Sequence, residues 1–343
     1  MSRAPVHWVL VVLLLGLGLP AFAPAAPPDL DRRLDPSRVS PLPSQIRRVE
    51  PAVVGIRVEV DRDRPSAATL GTQRWGSGVI FDADHGYVLT VSYVLLDAAR
   101  IEVSLRDGRK VAARLHGLDL EVGVGVARLE GRGPWPAAVL GDSTAVTAGE
   151  ITGTVGVSDE GDLVATPSRV QSVRSFAAAW EYMLDRAFIV APYNAAFGGA
   201  ALVNAAGSVI GVTSLRLGDA PHVNLAIPIE KFLAGKDELL ARGRVASRAP
   251  RPWLGLYTEP VDGGVVVSGL SPLGPARAAG VRPGDVIVEV NGRQVASREE
   301  FYRTLWQLPM DQDVQVTVRR PGGIEAITVR PMDRYRFYRT SDK

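Results

Sequence analysis

From residue 51 onward the chain alternates short runs of Val, Ile and Leu with breaks that contain Gly or Asp. "AVVGIRVEV", "WGSGVIF", "YVLTVSYV", "IEVSLRD", "KVAARLHGL" and "VGVGVARLE" form a first set of runs. "EITGTVGV", "ATPSRVQSV", "FIVAPY", "GAALVN", "SVIGVTSLRL" and "VNLAIPI" form a second. A dozen short strands without long helical periods predict a pair of antiparallel sandwiches or barrels. Asp107-Gly108, between two of these runs, predicts a hairpin turn of the type I′ kind. Before residue 244, helical spacing appears in "IEKFLAGKDELLARG" (229–243), where Phe232, Leu239 and Leu240 share a face, and a short helix is expected near Ser44–Arg48.

The pattern then breaks at "RVASRAPRP" (244–252), which reads as an unstructured polar linker and a domain boundary. Beyond it lies a smaller α+β unit, residues 253–335. Its strands are "WLGLYTEP", "GVVVSGL", "DVIVEV", "DVQVTVRR" and "EAITVRP", with a short helix "PARAAG" and an Asn291-Gly292 turn. A helix over 298–308 starts at an S-x-x-E capping box, Ser297 to Glu300, and presents Phe301, Leu305 and Leu308 on one face.

At the N-terminus, Arg3 precedes the apolar run "WVLVVLLLGLGL" and an Ala-Pro-Ala site at 23–25. This predicts a secretory signal peptide over 1–25, cleaved after Ala25, with an uncleaved anchor as the alternative. The mature chain is then periplasmic or secreted. Residues 26–45 are Pro-rich and charged and predict a linker.

Composition changes this picture little. A net charge of +2 leaves no basic face, and no Lys/Arg run is interleaved with aromatics, so nucleic acid is not an expected partner. "IRR" (46–48) and "RRP" (319–321) read as solvated loop charges. The chain has no cysteine, which excludes disulfides, thiolate metal sites and a cysteine nucleophile. No His/Asp/Glu pair has metal-ligand spacing on one element, so neither metal nor cofactor is expected. Asp119 and Glu121 read as a solvated strand edge, and His85, His116 and His222 as surface or structural histidines.

The order of motifs carries a resemblance. "GSGVIFDADHGYVLTVSYVLLDA" (76–98), "VSLRDGRKVAARLHGLDLEVGVGVARLE" (103–130), "AVLGDS" (138–143), "NAAFGGAALVN" (194–204) and "NLAIPI" (224–229) follow one another as in the HtrA (Deg) family of exported serine proteases. "WLGL" (253–256) and "ARAAGVRPGDVIVEVNGRQV" (276–295) resemble that family's PDZ domain. The resemblance implies a mainly β chain: a chymotrypsin-like double β-barrel over 46–243, then one α+β PDZ domain over 253–335. It also implies that Tyr93 stands at the catalytic His position, Gly123 at the Asp position and Gly198 at the nucleophile.

Acyl transfer by a triad needs a hydroxyl nucleophile, an imidazole base and an orienting carboxylate. Gly198 has no nucleophile, the phenol of Tyr93 is a poor base at neutral pH, and Gly123 cannot orient anything. No catalytic residue is therefore expected, and the chain reads as a pseudoenzyme: an exported peptide- or protein-binding scaffold or regulator acting through its PDZ domain. The alternatives are an active serine-type endopeptidase of periplasmic protein quality control, or a holdase-type chaperone. The expected partners are C-terminal or unfolded segments of exported proteins. Trp253, Leu254, Gly255 and Leu256 would present backbone amides to a terminal carboxylate, with Phe301 and Leu305 on the helical wall of the groove. No membrane span is expected after signal cleavage. Members of the family usually trimerise through an N-terminal segment carrying aromatics. Residues 26–50 have none, so a homotrimer is unsupported.

Overall fold

The computed structural model describes residues 42–341. The expected signal peptide, 1–25, and the expected linker as far as residue 41 lie outside the described residues. No helix among the described residues is long and apolar enough to cross a membrane.

The chain enters through α1 (Leu42–Val49), the short helix anticipated from the sequence, with Arg47 and Arg48 in its last turn. The first six strands follow: β1 (Val53–Val60), β2 (Gln73–Ile80), β3 (Tyr87–Val91), β4 (Ala98–Ser104), β5 (Lys110–Asp119) and β6 (Val124–Leu129). Two short helices interrupt them, α2 (Ala67–Leu70) and α3 (Ser92–Leu95). The strands close in the order β1-β2-β3-β6-β5-β4. β1 shows why the sequence folds this way: Ile56, Val58 and Val60 point inward while Arg57 and Glu59 face solvent. Leu89, Val103, Leu115 and Val126 complete the interior, each buried side chain contributing about 1.5–3 kcal/mol.

A second closed barrel is built from β7 (Ile151–Val157), β8 (Leu163–Ala178), β9 (Tyr182–Ala191), β10 (Ala201–Val203), β11 (Val209–Leu217) and β12 (Val223–Pro228), ordered β10-β11-β12-β9-β8-β7. Phe188, Val190, Leu202 and Ile210 lie in its core. β8 is 16 residues long, far longer than the run read from the sequence, and it pairs with β9 up to Ala178↔Tyr182 at a protruding hairpin tip.

The helix expected over 229–243 is two helices, α4 (Ile229–Leu233) and α5 (Lys236–Arg242). They break at Gly235, where an added Cβ would come 2.6 Å from Val245. The third unit comprises β13 (Leu256–Val261), β14 (Gly264–Leu270), α6 (Pro275–Ala278), β15 (Val286–Val290), β16 (Arg293–Gln294), α7 (Arg298–Leu305), β17 (Val314–Arg320), β18 (Gly323–Val329) and α8 (Arg334–Phe337). Its sheet runs β13-β14-β15-β17-β18, with β16 paired to β15. The mainly β architecture, a double barrel followed by an α+β unit, is the one anticipated from the sequence.

Several local readings change. The Asp107-Gly108 turn is not type I′. Only Gly108 of the two has positive φ, and its N–H donates to the Leu105 carbonyl at 3.1 Å. The capping box is shifted by one residue: Ser297 Oγ accepts the Glu300 N–H, while Glu300 reaches back to the N–H of Ala296 at 2.8 Å. Arg319 and Arg320 belong to β17, and Arg320 forks onto Asp285, so "RRP" is not a solvated loop. Asp119 and Glu121 are not a solvated edge either, with exposures of 2% and 7%. Asp119 pairs with Arg248 at 2.6 Å, and Glu121 with Arg251 at 2.8 Å and Arg334 at 3.3 Å. The two linker arginines thus pin the segment that reads as unstructured. Buried carboxylates recruit the nearest cations because an unpaired buried charge costs several kcal/mol.

Candidate functional site

The three positions at issue converge between the barrels. Tyr93 lies in α3, where the chain turns out of β3, and its hydroxyl donates to the Ser214 carbonyl on β11 at 2.7 Å. Burial pushes the phenol well above its ordinary pKa, with Tyr193 adding to the shift, so it stays a neutral donor. Gly123 sits in the turn between β5 and β6, and its carbonyl accepts the Ser92 N–H at 2.9 Å. Position 198 faces Tyr93, and a Cβ there would lie 3.0 Å from the Tyr93 hydroxyl.

The loop before Gly198 is stapled to β2. The Ser77 N–H donates to the Gly198 carbonyl at 2.7 Å, and Ser77 Oγ donates to the Ala196 carbonyl at 3.1 Å. Asn194 organises the approach: its Oδ1 accepts the Ala196 N–H at 2.8 Å, and its Nδ2 reaches the Thr154 and Val164 carbonyls, both at 3.1 Å. The amide of Ala196, two residues ahead of Gly198, is therefore spent on an internal acceptor. Phe197 packs against Tyr193 with centroids 5.9 Å apart.

The histidines have structural partners. His116 is buried and its Nε2 bonds the Leu240 carbonyl at 2.8 Å. His85 is exposed beside Asp82, and His222 bonds the Gly218 carbonyl.

In the third unit, the loop preceding β13 presents the convergent amides that the sequence suggests. Gly255 has φ +80, and a Cβ there would meet Gly274 Cα at 2.9 Å, so only glycine allows this loop path. The amides of Leu254, Gly255 and Leu256 all point at one carboxylate, that of Glu181 from the β8–β9 turn, at 2.9, 2.7 and 2.9 Å. The side chains of Leu254, Leu256, Phe301 and Leu305 are fully buried in the core of the unit. Trp253 turns toward the C-terminal segment, its ring 4.8 Å from that of Phe337. Phe301 and Leu305, expected on the wall of a groove, are core residues instead, and the sequence reading does not name Glu181, Thr258, Arg298 and Tyr302, whose polar groups fill the space between β13 and α7. The available signal was "AAAWEYM", a polar residue at a strand-to-strand turn, and it says nothing of where that turn reaches.

Comparison with known proteins agrees with both halves of the fold. Residues 76–212 match the trypsin-like peptidase domain, and residues 252–330 match the PDZ domain. A protein of Halomonas elongata named "Probable periplasmic serine endoprotease DegP-like" is 30% identical over 271 residues, 74% of this chain and 55% of that protein. "Serine protease Do-like HtrB" of Bacillus subtilis is 27% identical over 325 residues, 83% of this chain and 69% of that protein. The chain spans little more than half the length of the DegP-like relative.

Among solved structures, "HtrA-type protease AlgW with decapeptide" superposes with a TM-score of 0.52 at 24% identity, covering 85% of this chain and 98% of that one. The serine endoprotease from Yersinia pestis gives 0.51 at 25% identity, with the same coverage.

These relatives correct one expectation. The chain reads from its sequence as a pseudoenzyme and not an enzyme, yet the proteins aligned across three quarters of it are named serine endoproteases. The residues at positions 93, 123 and 198 do not by themselves decide whether it hydrolyses peptides. With a trypsin-like double barrel, a PDZ domain behind it and relatives of this kind, the chain belongs to the HtrA family.

Proposed function

We propose that this chain takes up segments of exported polypeptides in periplasmic protein quality control, with C-terminal or unfolded segments as its ligands. The observation that carries the reading is the cradle of three backbone amides, Leu254, Gly255 and Leu256, at the head of β13, which already holds a carboxylate. Such a cradle suits a chain end, and the edge of β13 not paired with β14 suits an added strand. The periplasmic setting is carried over from the relatives named periplasmic.

A second reading, endoproteolysis of the captured segment, is favoured by the names of the relatives. Hydrolysis in this chain has to draw on groups other than the side chains at 93, 123 and 198. Gly198 carries no hydroxyl to acylate, and Tyr93 commits its proton to the Ser214 carbonyl.

Both readings are tested by incubating the purified chain with an unfolded exported protein, following binding by calorimetry and cleavage by mass spectrometry of the products. Binding is the expected result. New peptides in the presence of this chain, absent from a heat-inactivated control, would establish the second reading. No binding and no cleavage would sink both.

A further inference from the structure

The β8–β9 hairpin runs beyond its barrel into the PDZ unit. Its tip lies along the edge of β13 that is not paired with β14, opposite α7. The Thr258 N–H of β13 donates to the Ala179 carbonyl at 2.9 Å. From α7, the Tyr302 hydroxyl donates to the Ala178 carbonyl at 2.7 Å and accepts the Glu181 N–H at 2.8 Å, while Arg298 donates to the Ala177 carbonyl at 3.1 Å. Two positions past Ala179, the Glu181 carboxylate closes over the loop amides: Oε1 takes Leu254, and Oε2 takes both Gly255 and Leu256. A peptide added to β13 as a strand, with its terminal carboxylate in the loop and an upstream carbonyl on Thr258, would make the same kinds of bond.

Two further features set this apart from incidental packing. Glu181 is 1% exposed, so its carboxylate has exchanged water for these amides. Burial drives its pKa up, and the amides of Leu254, Leu256 and Gly255 together with Arg334 oppose that shift. Glu181 also has φ +51, a left-handed backbone that favours glycine or asparagine over glutamate. The hairpin therefore carries a carboxylate at a turn position whose own geometry disfavours it.

We infer that Glu181 is an internal ligand of the PDZ carboxylate loop, and that a free chain end gains the groove only by displacing the β8–β9 hairpin. This rests on the peptide-capture reading above and adds its regulation: the groove is self-occupied, and affinity for a peptide is set by competition with an attached carboxylate at high effective concentration.

The test uses the full chain, the Glu181→Gly variant and the Glu181→Gln variant. Glycine suits the left-handed turn, and glutamine keeps the shape without the charge, so a folding defect in one does not decide the outcome. Hydrogen exchange of the Leu254, Gly255 and Leu256 amides is measured. Each protein is then titrated with a short peptide ending in Leu, once with a free carboxylate and once amidated.

Both variants are expected to exchange these amides faster and to bind the free-carboxylate peptide about tenfold tighter or more than the parent, with no gain for the amidated peptide. Unchanged exchange would overturn the inference while leaving peptide capture to its own assay. Equal gains for both peptides would also overturn it, because the loop then does not read chain ends. Released amides with neither peptide bound would fail the capture reading and this inference with it.

Discussion

A Cβ placed on Gly123 would stand 2.7 Å from the hydroxyl of Tyr182. That hydroxyl donates to the Val122 carbonyl at 2.7 Å, and its burial keeps it protonated. Tyr182 follows Glu181 directly at the hairpin tip, so the space beside Gly123 in the first barrel is filled from the second. Gly123 itself has φ +87, a conformation that a side chain strains.

Gly123→Asp should therefore destabilise the chain by about 2–4 kcal/mol, combining left-handed strain with overpacking against the Tyr182 ring. Urea denaturation of the purified variant measures this. An unchanged midpoint would mean that Tyr182 moves aside at little cost.

Gly198→Ser should behave differently. Gly198 is not left-handed, and among the described residues an added Cβ meets within 4 Å the Tyr93 side chain alone, with its hydroxyl at 3.0 Å. The variant should fold at a smaller cost than Gly123→Asp, because the Tyr93 hydroxyl has to give by a few tenths of an ångström but no left-handed strain is added. Its new hydroxyl has no imidazole to take its proton, so a fluorophosphonate probe should not label residue 198 above background. Labelling at that residue would show that another group serves as the base.

The hydroxyl of Tyr302 serves three elements, bonding Glu181 N–H, the Ala178 carbonyl and Thr258 Oγ1. Tyr302→Phe leaves a buried donor and a buried acceptor without partners, at a cost of about 1–3 kcal/mol. Thermal denaturation should show the loss, and the Glu181 amide should exchange faster. Parent-like protection of that amide would mean that the hairpin is held in the groove by other bonds.

Two buried acids should give different pH signatures. Burial raises the pKa of Asp119 despite Arg248, so its ionisation counts against the fold, and stability falls as pH rises through its folded pKa. Arg248→Met removes the compensating charge and raises that pKa further. The variant should be about 3–5 kcal/mol less stable at neutral pH, with the penalty shrinking on acidification from well above pH 4.

Asp285 is the opposite case. Burial works against its charge, but Arg320 and the Arg282 amide outweigh it and lower the pKa. Its contribution is present above the unfolded pKa of ~4 and is lost as pH falls through the folded value. The penalty of Arg320→Met should thus persist to lower pH than that of Arg248→Met. Denaturation series between pH 3 and pH 8, a span of roughly the carboxylate range and above, compare the two. Coincident profiles would contradict the assignment.

The barrels were legible because short runs of Val, Ile and Leu recur between Gly and Asp breaks, and β1 adds an in/out alternation that one buried face enforces, Ile56-Arg57-Val58-Glu59-Val60. The PDZ unit was legible for the same reason, helped by a capped helix and by Asn291-Gly292, where both residues have positive φ. The site was partly legible. The motif order names Tyr93, Gly123 and Gly198, and the "WLGL" run names the Leu254–Leu256 amides. Asp119 and Glu121 were misread because nothing nearby in the chain announces Arg248, Arg251 or Arg334, and a carboxylate without a local partner looks solvated.

What the sequence determined by itself is the set of elements and their kinds, because periodicity, caps and turns are short-range and act within a few residues. What only the tertiary structure decided is which buried polar groups satisfy one another. Glu181 lies 73 residues before Leu254, and Tyr302 lies 121 residues after Glu181. Their bonds form because a long hairpin happens to reach a loop whose amides need an acceptor. That demand arises only once both are removed from water, and a linear pattern carries no record of it.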